Sequence, residues 1–258
     1  MVLRAPVTVP ADLLAWLVTE HQLGELHPVL APGATWYPPV EHDVLRGQVQ
    51  ELLLVQGWRD RRGQLEREVA AALTVLCRPV EEFYGWINRD GATIGVLAGK
   101  IGTESVLAVR HPDDTIWLTT IKSTRLAARL VAQTPDVPAG PVKLFTVSPA
   151  EVRATSRSGR QRTPAGVGVR RASTDVRRAQ QLAAAPVSGF GELSTARRDA
   201  WGHRHRAEHP LRYRDTVDGR HALILPSNSS ADSLVRIESV TRDDLVRHLT
   251  TMHQSLPS

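Results

Sequence analysis

Apolar positions along the 258-residue chain change period several times, and each change marks an element. After Pro10, residues Leu13, Leu14, Trp16, Leu17 and Val18 fall at i, i+3 and i+4, which predicts a helix opened by the proline and stopped near Gly24. A second helical pattern from about Glu41 to Gln56 carries Val44, Leu45, Val49, Leu52 and Leu53 and ends at Gly57, a natural left-handed cap. A third runs from Gln64 to Leu76, ahead of Pro79. Three helices are thus expected before any strand. The period then drops to two. Residues 82–88 and 92–98 flank Arg89-Asp90-Gly91, and an Asp-Gly between two β-prone runs signals a tight hairpin. A second hairpin joins 105–110 to 115–121 across His111-Pro-Asp-Asp114. A helix from Ser123 to about Val131 follows, with Leu126 and Leu130 one turn apart, and the proline-rich run 134–141 breaks it.

The C-terminal part repeats this grammar. Gly189 to Ala196 reads as a strand, Arg198 to Gly202 as a turn, His203 to about Ala207 as its antiparallel partner, and Leu211 to Thr216 as the next strand before the turn Val217-Asp-Gly219. Ala222 to Leu225 then matches Val106 to Val109. A constant offset of 119 residues sets Ile116 on Val235, Leu118 on Ile237, Ile121 on Val240, Leu126 on Leu245 and Leu130 on Leu249. The hairpin loop before that stretch is three residues longer in the second copy, where variation is cheapest. We read an internal duplication inside one domain, 1–258, with halves of about 8–135 and 142–255. The expected fold is α+β: a central, mostly antiparallel sheet with helices before and after each half.

Composition narrows the class. An apolar fraction of 41% supports a proper core, and runs such as Leu52 to Val55 fall far short of the ~20 residues of a membrane helix. Met1 to Pro6 lacks the pattern of a secretory signal, so a cytoplasmic protein is expected. Cys77 is the sole cysteine, which excludes an internal disulfide; beside Leu73 and Leu76 it reads as a buried, inert thiol. The formal charge of +5 is local: Arg153 to Arg178 holds eight arginines against Asp175, and the rest of the chain sums to about −2. Within that stretch, 153–168 is rich in Ser, Gly, Pro and Arg without an apolar period, and a mobile loop is expected.

The most chemically loaded stretch is AWGHRHRAEHPLRYR, residues 200–214. His203 and His205 share a strand face, and with His209 and Glu208 they offer metal ligands, but four interspersed arginines oppose a dication; a solvated hairpin is the expectation. Arg204, Arg206, Arg212 and Arg214 leave nucleic-acid binding as the alternative reading, although no recognition helix, zinc finger or RNP-like aromatic motif accompanies them. Phosphate loops, nucleophile elbows and His-Glu-x-x-His pairs are absent, and neither Asp113-Asp114 nor Asp243-Asp244 has a companion for acid–base work. No catalytic residue, cofactor or metal is assigned. By elimination the chain is a binding protein with a broad working sheet face.

Leu13-Leu-Ala-Trp16 and Leu23-Gly-Glu-Leu-His-Pro-Val-Leu30 near the start are followed, in the second half, by Gly189-Phe-Gly-Glu-Leu, Arg198-Asp-Ala-Trp-Gly, Pro210-Leu-Arg-Tyr-Arg-Asp-Thr216 and Gly219-Arg220. In that order and spacing these segments resemble the EspG family of chaperones associated with ESX, or type VII, secretion in actinobacteria: the first two are similar to its opening helix and turn, and the others to its G-x-G-x-L, R-D-x-x-G-R-R-x-R, P-L-x-x-x-D-T and G-R signatures. Gly202-His-Arg-His-Arg206 fits that family's hairpin, standing where its arginine-rich strands usually occur. The resemblance implies an antiparallel sheet flanked by helical bundles with a quasi-two-fold between halves. It also implies binding rather than catalysis: a cytosolic chaperone, monomer or weak homodimer, that holds the helical tip of a PE/PPE-like or WXG100-like heterodimer. On the implied surface, partner contacts are expected at Phe190, Glu192 and Ser194, which alternation places on one face, at Gly99, Lys100, Ile101 and Gly102, and at Ser227, Asn228 and Arg236 of the last hairpin.

Overall fold

Backbone pairing in the computed structural model joins strands from both ends of the chain into one sheet. The structure describes residues 3, 5–33, 39–141, 144–148, 150–151, 173–225 and 234–257, with 39–41 described by backbone alone. The basic stretch 153–168 and the residues Ser227 and Asn228 lie outside the described residues. In chain order the strands are β1 (Val7–Pro10), β2 (Glu81–Arg89), β3 (Ala92–Ile101), β4 (Glu104–Arg110), β5 (Thr115–Thr120), β6 (Phe145–Val147), β7 (Val187–Arg198), β8 (Arg204–Arg206), β9 (Leu211–Thr216), β10 (Gly219–Ile224) and β11 (Val235–Ser239). The helices are α1 (Ala11–Glu20), α2 (Pro39–Val55), α3 (Arg67–Cys77), α4 (Leu126–Val131), α5 (Thr174–Ala184) and α6 (Arg242–Gln254).

Across the sheet the order is β1-β5-β4-β3-β2-β7-β9-β10-β11-β6, with β8 on the far end of β7, and the pairings of these strands are antiparallel. Read inward from either edge the pattern is the same: a short edge strand, then a meander that ends at the centre. The register carries the correspondence through. Thr120 faces Val106, which faces Gly99, which faces Glu82. Ser239 faces His221, which faces Arg214, which faces Phe190. With Thr120 set on Ser239 by the 119-residue offset, Glu82 therefore corresponds to Phe190, and Gly85 to Leu193. Since Gly85 and Leu193 are themselves paired, the quasi-two-fold passes between them, perpendicular to the sheet. The same chain of pairs sets Val106 on His221, one residue from the Ala222 match expected from hydrophobic pattern alone.

The sheet face carrying Leu97, Val106, Ala108, Ile116 and Leu118 packs under α1, α2 and α3. At the other edge of that face, α5 covers β6 and β11 through Ala179, Phe145, Val147 and Ile237. The opposite face is closed by α4 and α6 over Phe83, Ile87, Val96, Val109, Leu193, Leu211 and Tyr213. Fixed points of the chain have local causes. Asp90 and Gly91 take φ of 52° and 78°, the pair of positive values a two-residue hairpin needs. Thr241 and Asp244 form a reciprocal capping box that starts α6.

Three elements correct the expectations. A strand, β1, precedes the first helix, so three helices do not come before any strand. β6 and α5 lie in residues to which the sequence assigned no element: β6 follows the proline-rich run, and α5 begins at the C-terminal end of the arginine-rich stretch, capped by the Ser173 side chain on Val176 N–H.

Candidate partner-binding groove

Between α1–α3 on one side and α5 on the other, the centre of the first sheet face is left open. Successive residues of a strand alternate faces and cross-strand partners share one. Tyr84 packs against the α1–α3 core, so Trp86 and Asn88 share its face, opposite Glu192 and Phe190. Arg212 and Arg214 of β9 continue that face beside Glu192 and Phe190, and Leu223 of β10 follows next to Arg212. These residues, with Val187 and Thr93, line a cavity of about 530 Å³. Phe190 is 52% exposed and Trp86 40%, large values for aromatic rings at the middle of a sheet.

Of the two cations lining the groove, one is paired with a carboxylate inside it and the other is tied to backbone carbonyls. Arg212 Nε donates to Glu192 Oε2 at 2.9 Å, and both side chains are about half exposed. Arg214 Nη2 donates to the carbonyls of Ala183 and Ala185 at 3.1 and 3.0 Å, satisfying orphan acceptors at the end of α5 and fixing that wall. Such a site offers an apolar floor with one exchangeable ion pair.

Of the residues expected to contact a partner, the structure brings Phe190 and Glu192 into the groove. Ser194, largely buried, lies opposite Tyr84 on the same face. Gly99 to Gly102 sit at the far end of β3, where Lys100 pairs with Glu81 at 3.1 Å and Gly102 turns into β4 with φ of 56°. Arg236 is on β11, beside Glu238 at 3.5 Å, and lines a different hollow under α6. Trp86, Val187 and Arg212 were missed. Alternation within β2 does not say which strand pairs with it, so the sequence alone does not bring Trp86 opposite Glu192.

The histidine-rich stretch resolves into carboxylate partners. Asp199 Oδ2 takes His205 Nε2 at 2.9 Å and His203 Nδ1 at 3.3 Å, while His209 lies 3.7 Å from Glu208. Among the described residues no group of three or more His, Cys, Asp or Glu side chains is placed to hold a metal ion. Arg204 reaches across to the buried Glu82 and stacks over Tyr84. Arg204, Arg212 and Arg214 therefore serve internal partners, and with their side chains spread over two strands they form no continuous phosphate-facing row.

The residue order 10–251 matches the EspG family. The chain belongs to that family. This EspG-family chain also shares the fold of a solved Mycobacterium tuberculosis protein, the type VII secretion system chaperone EspG5 in complex with the PE25-PPE41 dimer. The two align with a TM-score of 0.67 at 18% identity, over 98% of this chain and 97% of the other. No curated protein matches the chain. Among the described residues no helix is long and apolar enough to cross a membrane.

One buried constellation of this EspG-family chain has the outline of a catalytic relay and cannot act as one. Thr195 Oγ1 lies 2.7 Å from His253 Nδ1, and His253 Nε2 lies 3.3 Å from Glu81 Oε2. Thr195 is fully buried and its hydroxyl donates to the Glu82 carbonyl at 2.7 Å, so no substrate reaches it. Beside it, His27 Nδ1 accepts from Val29 N–H at 3.3 Å, leaving the ring proton on Nε2, 3.7 Å from Glu82 Oε2. Burial, with Arg204 adjacent, holds the His27 pKa down to about 3. Burial also pushes the Glu82 carboxyl up, and Arg204 offsets part of that. Cys77 is likewise quiet: burial raises its thiol to about 11, well above any reactive range.

Proposed function

We propose that this EspG-family chain is a cytosolic specificity chaperone of a type VII (ESX) secretion system. It holds the helical tip of a PE/PPE-like or WXG100-like heterodimer, keeps that apolar tip in solution, and delivers it for secretion. It works as one domain of two halves, about 8–135 and 142–255, monomeric or weakly dimeric, and by binding rather than catalysis. The observation that carries this reading is the open groove at the sheet centre, where Trp86, Phe190 and Val187 are left to water although the same strands are otherwise closed by helices. Membership of the family and the fold shared with a chaperone solved together with a PE–PPE dimer point the same way. An exposed apolar depression with a polar rim is what a reversible protein contact requires.

The deciding experiment is co-expression and pull-down with the PE/PPE-like or WXG100-like pair encoded nearest its gene, followed by titration calorimetry. The pair is expected to co-purify with the wild-type chain. Phe190→Ala and Trp86→Ala should each weaken binding tenfold or more, and raising salt from 50 to 500 mM should change affinity little. Binding that collapses with salt and transfers to DNA or RNA would favour the nucleic-acid alternative instead.

A further inference from the structure

Beyond the far end of β7, residues Arg198 to His203 make a turn built to be rigid. Asp199 Oδ1 accepts the N–H groups of Trp201 and His203 at 3.0 and 2.9 Å, and its other oxygen is held by His203 and His205. Asp199 N–H donates to the His203 carbonyl, Gly202 N–H to the Asp199 carbonyl, and Arg198 Nη1 to the Gly202 carbonyl. Gly202 supplies the φ of 85° that closes the loop. Backbone bonds from Arg198 N–H to the Val80 carbonyl and from Val80 N–H to the Lys100 carbonyl, both 2.8 Å, fasten this end to β2 and β3.

What this framework presents is Trp201, 81% exposed. An exposed indole forgoes the stabilisation of burial, and here it is held out by a turn too well bonded to fold it back. Around it the surface is basic. Arg206 is exposed and Arg197 and Arg198 are half-buried at the base of the turn, whereas the one carboxylate of the turn, Asp199, points inward and pairs with His203 and His205. The next acid along the chain, Glu208, lies past β8 beside His209. The groove is elsewhere: Phe190 to Arg198 is eight residues of strand, about 27 Å, which sets the two surfaces apart along β7.

We propose that the Trp201 turn is a second docking surface, which inserts its indole into an apolar socket on an acidic protein that receives the cargo-loaded chaperone. The proposal rests on the chaperone reading above. A protein is favoured over a lipid surface on magnitude. The flanking arginines are only weakly attracted to an anionic bilayer, and one shallow anchor gives only marginal membrane binding. A tryptophan seated in a protein pocket is among the residues that most often dominate a protein contact.

The test uses the full chain with its co-expressed heterodimer and separates loading from delivery. For Trp201→Ala, cargo affinity by calorimetry is expected within twofold of wild type, while secretion of the heterodimer from the native host falls at least tenfold. Trp201→Phe should restore a good part of it, and His203→Glu with Arg206→Glu should reproduce the loss. Unchanged secretion overturns the proposal. So does a loss of cargo affinity in Trp201→Ala, which would place the turn in the cargo site. Sedimentation of wild type, but not Trp201→Ala, with phosphatidylglycerol vesicles overturns the protein partner in favour of lipid. A wild-type chain that holds no heterodimer at all defeats the chaperone reading itself and this proposal with it.

Discussion

Gly85 and Leu193 face each other across the central strand pair, and under the quasi-two-fold each is the other's counterpart. The position nearest the axis is thus occupied by the smallest residue in one half and a large one in the other. A Cβ on Gly85 would come within 2.2 Å of the Glu192 carbonyl oxygen and 2.9 Å of Leu193 Cα and Cδ2. Two copies of the same bulky residue do not fit at the point where the halves meet.

Gly85→Ala is accordingly expected to destabilise the fold by about 2 kcal/mol or more, because the obstructing atoms are mostly backbone. Gly47→Ala, in the middle of α2 with nothing within 4 Å of the added methyl, should instead stabilise by about 0.5–1 kcal/mol. Urea midpoints of the two variants check both signs at once.

Arg220 and Asp215 form a fully buried pair, joined through Nε–Oδ1 at 2.7 Å and Nη2–Oδ2 at 2.8 Å. The guanidinium also donates to Thr134 Oγ1 and the Pro135 carbonyl and lies 4.5 Å over the Tyr213 ring, so it ties the connection after α4 to β10. Arg220→Met leaves a buried carboxylate without its cation and should cost about 3–5 kcal/mol. A near-wild-type denaturation curve for that variant would contradict this account.

Acid should weaken the protein well before its carboxylates titrate. His27, His221 and His253 have their pKa values lowered, in each case chiefly by burial. The unfolded chain then binds more protons than the folded one below the ordinary histidine value of about 6.5, so stability falls as pH drops through that value. For His27, with a folded value of about 3, the loss by pH 5 amounts to about 2 kcal/mol. Glu82, raised by burial, works in the opposite direction and offsets part of it. Urea midpoints measured from pH 7.5 to 5 should decline, and His27→Gln should flatten the slope.

Cargo affinity, by contrast, should be nearly independent of pH. No histidine lines the groove, and His203 and His205 are engaged with Asp199 at the other end of β7. Calorimetry at pH 5.5 and 7.5 is expected to agree within tenfold; a larger gap would assign the histidines to the cargo surface.

Where sequence and structure agree, the signal was local. Asp90-Gly91 needs no distant partner to make its turn, and the apolar spacing of α1, α3 and α6 is readable residue by residue. β1 and β6 escaped because strands of four and three residues carry too little alternation, and their reason for existing is the edge strand each one covers. α5 escaped because the arginine content of its surroundings outweighed a Ser173 cap and two buried positions, Val176 and Ala179. The one-residue slip between Ala222 and His221 has a similar cause: a four-residue apolar string fits either way, and only cross-strand pairing decides. The groove was half legible. Alternation grouped Phe190 with Glu192, but Trp86 joins them from a strand about a hundred residues earlier, and the openness of that face depends on where helices stop.

The correspondence of Glu82 with Phe190 gives the asymmetry a meaning. In one repeat this location is sealed: a carboxylate 2% exposed, clasped by Arg204 beside His27, commits the first half to architecture. In the other it is a bare ring. The sealed copy is committed to the fold, and the bare copy can be redecorated without touching the Glu82, Arg204 and His27 cluster that holds the frame.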